Sequence, residues 1–79
     1  MAEDRDLLLS QIGLRITRRR QELGLTQTAL AVTLGIRPHN VSRIEGGHQN
    51  VTIDTLCKLA NALDTTVLAL LGGTSTRRG

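Results

Sequence analysis

Residues 37–47 read RPHNVSRIEGG, and His39, Asn40, Ser42 and Arg43 within them all carry hydrogen-bonding side chains. An imidazole, an amide, a hydroxyl and a guanidinium at this density suit a planar surface crowded with donors and acceptors. A guanidinium forks onto paired acceptors, and guanine presents such a pair in its O6 and N7 atoms. Two apolar residues three apart, Val41 and Ile44, interrupt the polar set, and paired glycines follow it. Pro38 fits the first turn of a helix, where its missing N–H has no partner to lose, and leaves Arg37 as the cap.

Helical geometry decides which of these groups face outward. A helix turns about 100° per residue, so with Val41 at zero, Ile44 falls at about 300° and Glu45 at about 40°. The inward direction is then about 350°, which puts His39 at about 160° and Arg43 at about 200°, almost diametrically outward. Asn40 and Ser42 flank that ridge. Arg43 is the expected base contact, with a phosphate contact as its alternative. His39 can donate to a guanine, approach a thymine methyl or simply be solvated. Asn40 and Ser42 can reach an adenine edge or a phosphate.

The elements that must hold this helix are legible around it. Glycines at 24, 35, 46–47 and 72–73 divide the chain into short segments with helical apolar spacing. A first helix is expected from about Asp6 or Ser10 to Leu23, with Ile12, Ile16 and, seven further on, Leu23 on its apolar face. Thr26 caps a second with Leu30, Ala31 and Leu34 on one face, and Gly35 ends it. Thr52 caps a fourth with Ile53, Leu56, Ala60 and Leu63, and Thr66 a short fifth with Val67, Leu70 and Leu71. Gly35 supplies either a left-handed turn or a close approach between helices. The class is all-α: one domain over 1–71 with its core in 12–71, and a basic tail, GGTSTRRG, over 72–79.

The chain is 79 residues long with a formal charge of +3, and arginine supplies nine of its ten basic residues. Six arginines fall between positions 15 and 45 against only Glu22 and Glu45, which points to a polyanionic partner or to a solvated basic face. One cysteine and two distant histidines make neither a disulfide nor a zinc site, so no metal or cofactor is expected. Cys57 is read as a partly buried small hydrophobe. The acidic start lacks the basic, apolar plan of a secretory signal, and a cytoplasmic location is expected. No catalytic triad, metal motif or phosphate-binding loop is present, which argues against an enzyme. The absence of aromatic residues argues against single-stranded RNA, whose bases need stacking platforms.

The segments IGLRITRRRQELGLTQTALAVTLGI, VSRIEGG and TIDTLCKLANAL occur in this order. Together they resemble the Cro/phage-repressor family of helix-turn-helix regulators, also called XRE-type, over residues 12–71. The stretch GHQNVTIDTL further resembles small controllers of restriction–modification genes; phage or plasmid repressors and antitoxins carry nearly the same residues. The resemblance implies a compact five-helix domain whose third helix, about 38–45, enters the major groove of double-stranded DNA. It implies a homodimer on a palindromic operator, and a structural ion pair between Arg20 and Glu45.

By the same resemblance, Thr26 and Gln27 fix the domain on a phosphate, at a helix start that already favours an anion. Arg37 and one arginine of the first helix, taken as Arg19, are further phosphate candidates. Many relatives carry Lys or Arg in the following loop. Here His48, Gln49 and Asn50 take that place, with His48 and Asn50 as phosphate candidates, and backbone N–H groups must contribute more. Pro38 replaces a polar, base-reading position of many relatives. Leu68 and Ala69 stand where the family usually carries charge. With Leu71, and with Leu7 to Leu9 nearby, they are the expected self-association surface. The rival reading is a protein-interaction module or antitoxin built on the same scaffold.

Overall fold

The computed structural model describes residues 4–73, and among them every regular element is a helix. They are α1 (Arg5–Glu22), α2 (Gln27–Leu34), α3 (Pro38–Glu45), α4 (Ile53–Ala62) and α5 (Val67–Leu70). Four starts are fixed by a side-chain oxygen that accepts a first-turn N–H: Asp4 for α1, Thr26 for α2, Thr52 for α4 and Thr66 for α5. The Asp4 cap begins α1 one residue before the earliest expected start. At α3 no side chain caps the helix, and Pro38 sets the first turn instead.

The α2–α3 turn is made by Gly35, at φ +72°, with Ile36 N–H donating 3.0 Å to the Ala31 carbonyl. Nothing crowds a Cβ at Gly35, so the left-handed backbone, not a close approach, is what requires glycine there. At the other end, the N–H groups of Gly72 and Gly73 bond the Ala69 and Leu68 carbonyls and close α5. The expected basic tail lies, from residue 74 on, outside the described residues.

All five helices contribute to one core: Ile12, Ile16, Leu30, Ala31, Val41, Ile44, Leu56, Leu59, Ala60, Leu63 and Leu70. Several assignments to the inward faces are corrected. Leu56, Leu59, Ala60 and Leu63 centre the buried face of α4 so that Ile53 lies about 70° off it and Cys57 about 110° off. Ile53 is accordingly 69% exposed and Cys57 is exposed. Leu23 and Leu71 follow the last residue of their helices and are exposed at those ends. Among the described residues, no helix is long and apolar enough to cross a membrane.

The contact that sets α1 against α3 runs through a glycine inside α1. Gly13 is buried, and a Cβ added there would meet the Glu45 carbonyl oxygen and come within 2.6 Å of the Ile44 oxygen. Both obstacles are backbone, so neither can swing aside. Gly13→Ala should therefore destabilise the domain by about 1–3 kcal/mol through overpacking, although alanine is the better helix former by about 1 kcal/mol. Thermal unfolding checks this; an unchanged or raised Tm would show that the α1–α3 crossing can relax.

Candidate nucleic-acid interface

The orientation of α3 is fixed at its C-terminal end. Arg20 donates from Nε to Glu45 Oε2 at 2.6 Å and from Nη2 to Glu45 Oε1 at 3.0 Å, a two-pronged ion pair. Its third donor, Nη1, bonds the Leu25 carbonyl at 2.8 Å, and Gln27 Nε2 donates to Glu45 Oε1 at 2.9 Å. One carboxylate thus joins α1, α2 and α3, and its arginine partner adds the turn before α2. The side chains of Arg20 and Glu45 are 12% and 6% exposed. Burial pushes the Glu45 carboxyl up, but the hydrogen bonds from Arg20 and Gln27, together with the Arg20 charge, outweigh it and hold the group below its ordinary value. The hydrogen bond to Glu45 raises Arg20 in turn, against the opposing effect of burial.

With Val41 and Ile44 buried, His39, Ser42 and Arg43 are exposed on the far side of α3, and Asn40 is half-buried beside them. Arg43 faces solvent but is not free. Its Nε donates to Gln49 Oε1 at 3.2 Å and its Nη2 to the His48 carbonyl at 2.9 Å. The loop after α3 is therefore built against the outward ridge. His48 lies over Gly46, and Gly47, at φ +74°, faces Ser10 so closely that a Cβ would fall 2.8 Å from its Cα. Across an open cleft, Arg5 and Ser10 of α1 meet His48, Gln49 and Asn50.

The expected phosphate contacts sort differently. Thr26 caps α2 through Ala29 N–H at 3.0 Å, and Arg37 is exposed at the start of α3. The Gln27 amide is committed to Glu45, so an anion at α2 would rest on first-turn N–H groups without intrahelical partners. Arg19 is engaged within the chain: its Nε and Nη2 donate to the Leu63 and Asp64 carbonyls at 2.8 and 3.0 Å, capping the end of α4. Arg15 Nη1 is buried with no hydrogen-bond partner among the described residues, and its guanidinium lies against Gly72. Two residues that matter here, Gly13 and Arg5, were missed from the sequence, which shows Gln49 only as a loop residue, without its bond to Arg43. A glycine inside a regular helical pattern was the available signal for the first; nothing local marks Arg5 or that bond.

A short helix locked by its inner edge on a bihelical unit, with imidazole, hydroxyl and guanidinium facing outward, defines a DNA-binding domain of the helix-turn-helix kind. The helix-turn-helix family model HTH_3 matches residues 16–70, and the chain belongs to this XRE-type family of DNA-binding transcription regulators. Comparison with curated protein sequences finds no match. Among solved structures, the chain is similar to the restriction–modification controller protein C.AhdI from Aeromonas hydrophila. The identity is 35% and the TM-score 0.75, over 78% of this chain and 94% of that one. It is also similar to SinR, the master regulator for biofilm formation, solved in complex with DNA. Here the identity is 38% and the TM-score 0.71, over 76% and 97% of the two chains. The clp gene regulator ClgR from C. glutamicum superposes with a TM-score of 0.79 at 26% identity, over 81% and 82%.

The Glu45 clamp gives the domain a pH signature. Because the carboxyl is held below the ordinary glutamate value of 4.5, its contribution is fully present above that pH and is lost as pH falls through the folded-state value. Glu45→Gln should lower stability at pH 7 by about 3 kcal/mol, since it leaves Arg20 shielded without a counter-charge. The gap in Tm between wild type and Glu45→Gln should then narrow as pH drops below 4.5. A gap that stays constant down to acid unfolding would mean that the pair does not stabilise the fold.

Proposed function

We propose that this regulator binds a palindromic double-stranded DNA operator as a homodimer, with α3 of each protomer in the major groove. The observation that carries the reading is the exposed His39–Arg43 ridge on a helix whose opposite edge is clamped by Arg20 and Glu45. A ridge held in one orientation can present donors to base edges without rearranging the domain. Arg43 is assigned to a guanine, and His39, Asn40 and Ser42 to neighbouring base edges. Thr26, the first-turn N–H groups of α2, Arg37, His48 and Asn50 are assigned to phosphates flanking the groove. Arg19, engaged with α4, takes no part.

Size and surface support the paired arrangement. The domain measures 36 × 32 × 20 Å, and half-sites one helical turn apart are separated by about 34–36 Å, so two protomers fit side by side on one face of the duplex. Leu68 is 55% exposed and Leu71 is also exposed, with half-buried Ala69 between them. These three are assigned to the contact between protomers. Of the early leucines, Leu7 is exposed, Leu8 packs on the core and Leu9 lines the cleft with residues 46–50.

Two experiments test this reading. Binding to a duplex selected by the protein from random-sequence DNA should weaken steeply with salt, with a log–log slope of about −0.9 per phosphate neutralised. Arg43→Ala should remove about 1–3 kcal/mol of preference at one base pair. Binding indifferent to salt would favour the protein-interaction alternative. Separately, Leu68→Glu should sediment as a monomer at concentrations where the wild type is dimeric, because a carboxylate would be buried in the contact. An unchanged dimer would place the interface elsewhere.

A further inference from the structure

We infer that Gln49, together with the His48 carbonyl, orients the Arg43 guanidinium and so sets which of its edges meets the DNA. This positioning role rests on the DNA-reading function proposed above. Arginine offers two donor edges, one formed by Nε with Nη2 and the other by Nη1 with Nη2. The loop occupies the first: Gln49 Oε1 accepts from Nε at 3.2 Å and the His48 carbonyl from Nη2 at 2.9 Å. What remains is the end-on pair, Nη1 with the second N–H of Nη2. That pair has the fork geometry that O6 and N7 of one guanine accept.

The support is itself fixed. His48 N–H donates to the Arg43 carbonyl at 2.9 Å while Arg43 Nη2 donates back to the His48 carbonyl, a reciprocal ring that ties the loop to α3. Gly47 seats the same loop on α1 against Ser10. Gln49 is half-buried, whereas the side chain it holds is exposed. A long, flexible arginine on an open ridge would otherwise lose its rotamer freedom only on binding, with a corresponding loss of affinity and selectivity. Holding the guanidinium by one edge beforehand removes part of that loss and disfavours side-on contact with a phosphate.

The test uses the full chain and a duplex selected by the wild type from random-sequence DNA, with each G·C pair replaced in turn by A·T. Anisotropy titrations at one salt concentration give the preference at each position, and thermal unfolding is followed for every variant. At the pair whose preference Arg43→Ala abolishes, Gln49→Ala should lower the preference about two- to tenfold, with Tm unchanged. Gln49→Met, of similar length without a strong acceptor, should do the same. Gln49→Glu keeps an acceptor facing Nε and should retain the preference while weakening all duplexes alike, because its charge opposes the phosphates. In the Arg43→Ala background, Gln49→Ala should change that preference no further.

A Gln49→Ala protein that keeps the wild-type preference, or loses affinity equally for every duplex, overturns the positioning role and makes Gln49 at most a backbone contact. An Arg43→Ala protein that keeps every base preference overturns the DNA-reading assignment of Arg43 itself. The two failures are therefore distinguishable.

Discussion

One carboxylate sets the geometry on which the rest of the reading face depends. Apolar burial is not directional, and Val41 and Ile44 alone leave an eight-residue helix some freedom to roll about its axis. A helix that short is not stable by itself in water, so α3 exists only in the pose its neighbours impose. Glu45 removes the roll. Two guanidinium bonds from Arg20 and an amide bond from Gln27 fix the end of the helix against both α1 and α2. The Gly13 crossing supplies the complementary constraint by letting the α3 backbone approach α1 at the same end. A roll of one residue position, about 100°, would exchange Arg43 for a core residue.

What the sequence disclosed about the fold was whatever is decided locally. Thr26, Thr52 and Thr66 read as caps because a hydroxyl beside a first-turn N–H needs no distant partner. Pro38 and Gly35 follow from backbone chemistry in the same way. The outward direction of His39 and Arg43 came from the angular spacing of two apolar residues. What stayed hidden depends on partners far along the chain. Arg19 caps carbonyls 44 and 45 positions away, and Gly13 is explained only by carbonyls of α3. The sequence favours Ile53 over Leu59 on the inward face of α4, because with Leu56 and Ala60 fixed Ile53 lies about 40° from their mean direction and Leu59 about 80°; packing against the other helices decides for Leu59.

The arginines show why a basic composition overstates an interface. Nine arginines in 79 residues invite the reading that most of them meet an anion. Yet Arg20 is bound to Glu45, Arg19 closes α4, and Arg15 lies against the turn at Gly72. For Arg20 and Arg19 the forked donor set joins two elements of the chain, a task a lysine point charge would perform less well, while Arg15 only packs its guanidinium against the turn. A core without aromatic residues has little bulk with which to lock helices in register. Guanidinium groups at helix junctions do that instead, while their charge still adds to the field around the domain.

These junctions give α1 a second importance. Through Arg20 and Gly13 it holds α3, and through Arg19 and Arg15 it holds the end of α4 and the turn that closes α5. The outward ridge of α3 and the exposed leucines of α5 are therefore tied to two different faces of a single 18-residue helix: at 100° per residue, Gly13 and Arg20 lie about 130° around α1 from Arg15 and Arg19. A dimer of the proposed kind, formed through Leu68 and Leu71, would be joined to α3 through these contacts. In such a dimer the separation of the two α3 helices would be set through α1. On the proposed reading, spacing would become part of specificity: an operator with the right bases at the wrong separation would engage one half only, and lose the gain that linking two sites provides.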